Sequence, residues 1–486
     1  MALSSETSAH AGSLRAPPRV PAQASAQAQP RATLNLTQAI AIIVGIVIGA
    51  GIFKAPSLVA ANTGSTFWMF AAWIAGGLIS LIGALCYAEL ATSYPSAGGD
   101  YHFLRRAYGK AVSFLFAWAR FAVITTGSIA LLGFVFGDYM TQILPLGPAS
   151  ASLYAAAALL LLTWINVRGM HASATTQTWL TGVEILGLLL IVVAGLFLVG
   201  NGASAAAAAA AAPATALAAP SMPALSALGL AMVFVLLTYG GWNEAAYISA
   251  ELKDERRNMV RALIYSIAII TALYLLVNWA YWSGLGVQGM AQSKAVAADL
   301  MNVAFGRTGE VIMAVLVAIA ALTSMNATMI VGARTNFAAA RDWPVFRNIG
   351  QWDEARATPV NAIWLQSIAA LVLIAIGAAV GGGFKAMVEF TAPVFWLFFL
   401  LSGIALFVLR RKHPDLPNPF KVPLYPLTPL AFCAVCAYML WSSLGYVYNQ
   451  QLGGLNAAWI GVIVLALGAL VYAVIHKTSP QPESKG

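Results

Sequence analysis

Charge is scarce in this 486-residue chain: 9% of its residues are charged and 60% are hydrophobic. Soluble domains carry roughly 25% charged residues. A soluble chain could not hide so much apolar surface, so lipid is the expected solvent for most of it. Cysteine is equally rare. Cys86, Cys433 and Cys436 all lie in apolar stretches, where no disulfide framework is expected. Cys433 and Cys436 have C-x-x-C spacing, but without neighbouring histidines or further cysteines they read as packing residues rather than metal ligands. The five histidines are His10, His102, His171, His413 and His476, and none falls in the middle of an apolar run. A catalytic pair or metal set therefore has no material, and neither enzyme activity nor a cofactor or metal is expected. The net charge of +9 is spread over short connections instead of one face, which argues against nucleic acid.

Apolar length is what the chain has in abundance. A spanning helix needs roughly 20 mostly apolar residues, and about twelve such runs occur, near 36–60, 67–91, 111–143, 149–167, 170–200, 225–250, 261–286, 309–339, 359–381, 385–410, 427–447 and 456–475. The expected class is an all-α integral membrane protein. Basic residues such as Arg105, Arg106, Arg256, Arg257, Arg410 and Arg411 collect on one side of these runs, while Lys54, Lys294, Arg307 and Lys385 fall on the other. The positive-inside rule then puts both termini in the cytoplasm of a multi-pass inner-membrane protein. Residues 1–33, rich in Ala, Pro, Gln and Ser with no apolar core, are expected to form a disordered cytoplasmic tail. Residues 201–223 carry an Ala run broken by Pro213, Pro220 and Pro223, which makes them an outer low-complexity loop.

Two spans are interrupted. The first carries Gly45, Gly49 and Gly51 in Ile46-Val47-Ile48-Gly49-Ala50-Gly51-Ile52-Phe53, with Pro56 a turn later. The sixth reads Leu237-Thr238-Tyr239-Gly240-Gly241-Trp242-Asn243-Glu244. Small-residue packing would account for the first alone, since Gly45 and Gly49 have G-x-x-x-G spacing. Matching breaks five helices apart point instead to an inverted-repeat transporter whose site lies at the breaks. Unwound backbone in lipid is tolerated only where it lines a cavity. Freed amides bind a carboxylate and freed carbonyls an ammonium, so a zwitterion would use both. Asn243 is a candidate hydrogen-bond anchor, structural or substrate-facing.

The residues resemble a known family. Gly45-x-x-x-Gly49-Ala50-Gly51-Ile52-Phe53, Tyr94-Pro95-Ser96-Ala97-Gly98-Gly99-Asp100-Tyr101, Tyr239-Gly240-Gly241-Trp242-Asn243-Glu244, and Arg410-Arg411-Lys412-His413-Pro414 leading to Pro419-Phe420-Lys421-Val422-Pro423 look like the amino acid-polyamine-organocation superfamily, in particular its L-type amino acid transporter-like group. The resemblance implies a 5+5 inverted repeat, with residues 34–200 and 224–410 as the two repeats, 411–476 as a cytoplasmic linker with two peripheral spans, and 477–486 as a cytoplasmic tail. It implies that amides of Gly49, Ala50 and Gly51 hold a substrate carboxylate, and that carbonyls near Ile46, Val47 and Leu237 to Tyr239 face its amine. Leu237 falls where relatives carry a bulky gate, with Trp242 as an alternative. The implied function is amino acid transport, as proton symporter or exchanger. A polyamine or organocation carrier, or a sensor that binds without transporting, is the alternative.

Two features depart from the family. The loop Pro145-Leu146-Gly147-Pro148-Ala149-Ser150 has no cysteine, so no disulfide-linked glycoprotein subunit is expected. Many relatives place a lysine on the fifth span seven residues after a Gln; counting from Gln177 reaches Glu184, and the charge is reversed. Charge inside a span is unfavourable and marks functional suspects. Glu184 is expected either to bind a proton or cation, since burial penalises its charged form, or to pair with Arg120 on the third span. Glu244 lies near the break, Glu251 is expected to pair with Lys253, Arg256 or Arg257, and Glu389, near the outer mouth of the tenth span, is expected to be solvated. Thr323, Ser324, Asn326 and Thr328 on the eighth span are candidate site-lining residues.

Overall fold

The computed structural model describes residues 35–94, 99–168, 171–200, 223–243, 252–341, 343, 346–356, 358–380, 383–415, 420–448, 451–452 and 455–478. The expected tail and the 201–222 loop lie outside them, as do Glu244, Glu251, Pro95 to Gly98 and Pro419. Among the described residues the regular structure is helical apart from one two-residue hairpin, Gln451–Leu452 paired with Leu455–Asn456, and an isolated bridge between Asp353 and Thr358. Nine described helices are long and apolar enough to cross a membrane, and Glu184–Leu198 and Leu225–Thr238 are shorter apolar helices.

The first apolar run is not one helix. It divides into α1 (Leu36–Val47), a 3-10 turn (Ala50–Phe53) and α2 (Ala55–Thr63). Gly64 ends α2 in the left-handed region at φ 63°, and Ser65 opens α3 (Thr66–Ser93) by accepting the Trp68 amide at 3.3 Å, an ordinary helix N-cap. A short α4 (Gly99–Tyr108) leads into α5 (Lys110–Ala119), a π-helical turn (Arg120–Thr125) and α6 (Thr126–Ile143). Then follow α7 (Ser150–Arg168), α8 (His171–Gly200) and α9 (Leu225–Thr238), where helix gives way to turn. The long α10 (Glu255–Gln292) and α11 (Val296–Arg341) each bend at a glycine of positive φ, Gly286 at 65° and Gly306 at 66°. These bends fall where the apolar runs read from the sequence end, near 286, and resume, near 309. The remaining helices are α12 (Val360–Val380), α13 (Gly383–Lys412), α14 (Leu427–Tyr448) and α15 (Ala457–Thr478).

Large apolar side chains cover the outside, as Leu153, Leu160 and Trp164 do on α7 and Val462, Leu467 and Leu470 on α15. The interior relies on small residues that let helices approach. A Cβ at Gly137 would collide with the Ala151 backbone, and one at Gly195 would sit 2.8 Å from the Ala280 Cα. This is how helices pack when lipid supplies no hydrophobic drive between them. Cys86 and Cys436 are buried among the helices, and all three cysteines are free thiols.

Candidate functional site

The two breaks face each other. A Cβ on Gly51 would lie 3.4 Å from the Thr238 side chain, so the 3-10 turn after α1 abuts the end of α9. Gly241 holds φ +109°, a conformation L side chains rarely adopt, and this lets the chain turn out of α9. Around the breaks lies a cavity of about 400 Å³. Its wall includes Val47, Gly49, Ala50 and Gly51 from the first break and Leu237, Thr238, Gly240, Gly241 and Asn243 from the second. The π-helical turn contributes Arg120, Ile124 and Thr125; α8 contributes Glu184; α11 contributes Thr323, Ser324 and Thr328; α13 contributes Phe384, Thr391, Phe395 and Phe399.

Of the expected substrate set, the Tyr239 side chain packs away from the cavity. Tyr239 is 1% exposed; its ring packs between Trp73 and Tyr274, 6.1 and 5.0 Å away, and its hydroxyl donates to the Trp73 carbonyl at 3.1 Å. The side chain of Ile46 lies outside the described residues. Of the α11 candidates, Asn326 turns to α7, where its Oδ1 accepts from Asn166 Nδ2 at 2.7 Å. Glu389 is buried, not solvated: it is 7% exposed, and Lys385, one helical turn earlier, reaches it at 3.8 Å. Leu237 stands on the cavity wall, whereas Trp242 joins an aromatic cluster with Tyr87, Phe399 and Phe432.

The freed backbone is held by side chains from other helices. Tyr274 on α10 donates to the Val47 carbonyl at 2.9 Å and the Thr238 carbonyl at 3.0 Å. A hydroxyl has one proton, so it serves the two carbonyls by turns, and one always has spare capacity. Tyr139 donates to the Phe53 carbonyl at 2.6 Å. No local sequence signal marks Tyr274 or Tyr139, because each is one aromatic in an apolar helix.

Glu184, 3% exposed, accepts from Ser324 Oγ at 3.3 Å. A Cβ on Gly49 would lie 3.2 Å from that same Oγ, so the acid reaches the first break through one hydroxyl on α11. Arg120 stands on the wall of the same cavity, but the described hydrogen bond of Glu184 goes to Ser324.

Charged residues also pair in two places that the sequence did not single out. Lys54 Nζ donates to Asp138 Oδ2 at 2.7 Å. Arg410 holds Glu89 in a bidentate pair with both bonds at 2.5 Å, and the Val422 amide donates to the same carboxylate at 2.6 Å. Nearby, Asp100 accepts from Tyr87 at 2.5 Å and Ser402 at 2.8 Å. His102, on α4, is held below its ordinary pKa, first by burial and then by Arg106 and Arg105. That favours a neutral imidazole there. Among the described residues, no cluster of His, Cys, Asp and Glu could hold a metal ion.

Known proteins are similar along most of the chain. It is 31% identical over 403 residues to the large neutral amino acids transporter small subunit 2 of Homo sapiens, covering 81% of this chain and 73% of that protein. It is 28% identical over 440 residues to the Asc-type amino acid transporter 1 of Mus musculus, with 89% and 79% covered. It is 30% identical over 386 residues to the b(0,+)-type amino acid transporter 1 of Mus musculus, with 78% and 76% covered. A crystal structure of a mutant manganese transporter from Eremococcus coleocola superposes with a TM-score of 0.51 over 90% of this chain and 95% of that one. At 14% identity that likeness concerns the fold alone. The amino acid permease family model matches residues 34–477, and the chain belongs to that family, within the amino acid-polyamine-organocation superfamily and its L-type amino acid transporter-like group.

Proposed function

We propose that this permease is a secondary active transporter that carries amino acids across the cytoplasmic membrane by alternating access, with both termini in the cytoplasm. One observation carries the reading: two interrupted helices present unwound backbone to each other across a shared cavity. Amides at Gly49, Ala50 and Gly51 would take the carboxylate, and the carbonyls of Val47 and Thr238, sharing one tyrosine proton, would take the amine. The names of the relatives support an amino acid as cargo. Repeats at 34–200 and 224–410 would supply the rocking elements. The relatives it resembles are named as transporters, so we read it as a non-enzyme. The loop at 145–150 offers no cysteine to a disulfide-linked partner, and we read the chain as working without one.

Glu184 is the coupling candidate, as the acid that links the first break to α11. Neutralised by a proton it would let the cavity close, and released on the other side it would drive accumulation. A buried acid also favours a second reading, an organocation or polyamine carrier. Reconstitution into liposomes with a panel of labelled amino acids and polyamines, with and without a pH gradient, separates the readings. Gradient-stimulated amino acid uptake supports proton symport, uptake only against internal amino acid supports exchange, and binding without flux supports a sensor.

A further inference from the structure

We infer that Lys54 and Asp138 form a latch that holds the outer side of the substrate cavity shut. The inference rests on reading the chain as an alternating-access carrier with its amino terminus in the cytoplasm. Lys54 follows the 3-10 turn of the first break and immediately precedes α2. A cation at that place is opposed by the helix dipole, and it is buried, with only 10% of its side chain exposed. Both costs demand partners. Lys54 Nζ reaches Asp138 on α6 at 2.7 Å and the Lys294 carbonyl, in the connection between α10 and α11, at 2.5 Å. It also stands 5.9 Å from the Phe384 ring on the cavity wall.

These bonds join two groups of helices. α2 packs against α9 and α10, while α6 packs against α7 and α11. At this end Lys54 to Asp138, with Tyr139 to the Phe53 carbonyl beside it, ties the first group to the second. The unwound stretch between α1 and α2 leaves α2 free to swing as a unit, because no continuous helical ladder fixes its angle to α1. Swinging α2 away from α6 would open the cavity past Phe384, and that movement must part Lys54 from Asp138. The substrate turn at Gly49–Gly51 lies just upstream of the latch, so filling the site and moving the latch act on one short segment. A latch closed in the resting protein lowers the share of molecules open to the outside, and so lowers apparent affinity from that side.

The test uses the full-length protein in right-side-out and inside-out membrane vesicles. Phe384→Cys reports access through labelling by a membrane-impermeant maleimide, with the parent protein's own cysteines as the background. We expect Lys54→Met and Asp138→Asn to raise the labelling rate from outside at least about fivefold. External KM should fall by a similar factor and KM from the cytoplasmic side should rise. Asp138→Glu, which keeps the charge, should label as slowly as the parent. Unchanged labelling and unchanged KM on both sides overturn the latch. So does an equal change of KM on the two sides together with lower thermal stability, which is what a merely structural pair would give. Absence of amino acid flux in the parent would sink the proposed function while leaving the labelling result readable.

Discussion

Replacing Gly241 by Ala adds one methyl group, yet the structure assigns it a large cost. At φ +109° the new Cβ meets its own backbone, and holding a non-glycine residue in such a region costs about 1–3 kcal/mol. On the proposed function the sixth-span turn belongs to the substrate-binding conformation, so the strain would fall on that conformation. It should lower apparent substrate affinity by about 5- to 150-fold. Gly51 supplies the control. Its Cβ would stand 3.4 Å from the Thr238 side chain, an ordinary van der Waals distance, and its φ is not in the left-handed region. Gly51→Ala should therefore stay within about twofold of the parent. Gly51→Leu is different, because the extra carbons must displace Thr238 or enter the cavity beside the amides, and uptake should vanish. The assay is initial-rate uptake in liposomes normalised to inserted protein, with thermal unfolding in detergent to confirm that each variant folds. Parent-like affinity in Gly241→Ala would refute the strain argument, and parent-like uptake in Gly51→Leu would remove the first break from the site.

Tyr274→Phe removes the proton shared by the Val47 and Thr238 carbonyls; it should cost about 1–3 kcal/mol of stability and weaken substrate binding, as read by thermal shift with and without substrate. If backbone amides and carbonyls hold the two charged ends, amino acid amides and N-acetyl derivatives should compete poorly in uptake assays, and equal competition by a plain amine would point to a polyamine carrier. Glu184→Gln should keep binding and exchange but lose accumulation driven by a pH gradient; normal gradient-driven uptake would end the coupling role. If Arg120 only pairs with Glu184, the double variant Glu184→Gln/Arg120→Gln should recover stability that each single change loses.

Hydropathy alone marked the nine described helices that are long and apolar enough to cross a membrane, because a lipid-spanning segment must satisfy its own backbone and cover itself with apolar side chains. That demand is local and needs no knowledge of neighbours. The run of apolar residues ended near 286 and resumed near 309, and the structure has its helical bends at Gly286 and Gly306. The two breaks were legible for a similar reason: glycines in an apolar run weaken a helix wherever they stand. That Gly51 meets Thr238, or that Ser324 joins Gly49 to Glu184, was not legible, since these residues sit on helices far apart in sequence and meet only through packing. Tyr239 shows the limit within a motif. Its place beside the glycines suggested the site, but a large ring takes whichever side offers packing, and Trp73 and Tyr274 offered it. Lys54 and Glu389 show the limit for charge. Sequence put Glu389 in solvent and gave Lys54 no partner, whereas the bundle buried the first beside Lys385 and supplied Asp138 to the second. Composition and apolar run length marked the membrane helices and where the backbone breaks; the packing of helices decided which freed groups face the cavity and which charges pair.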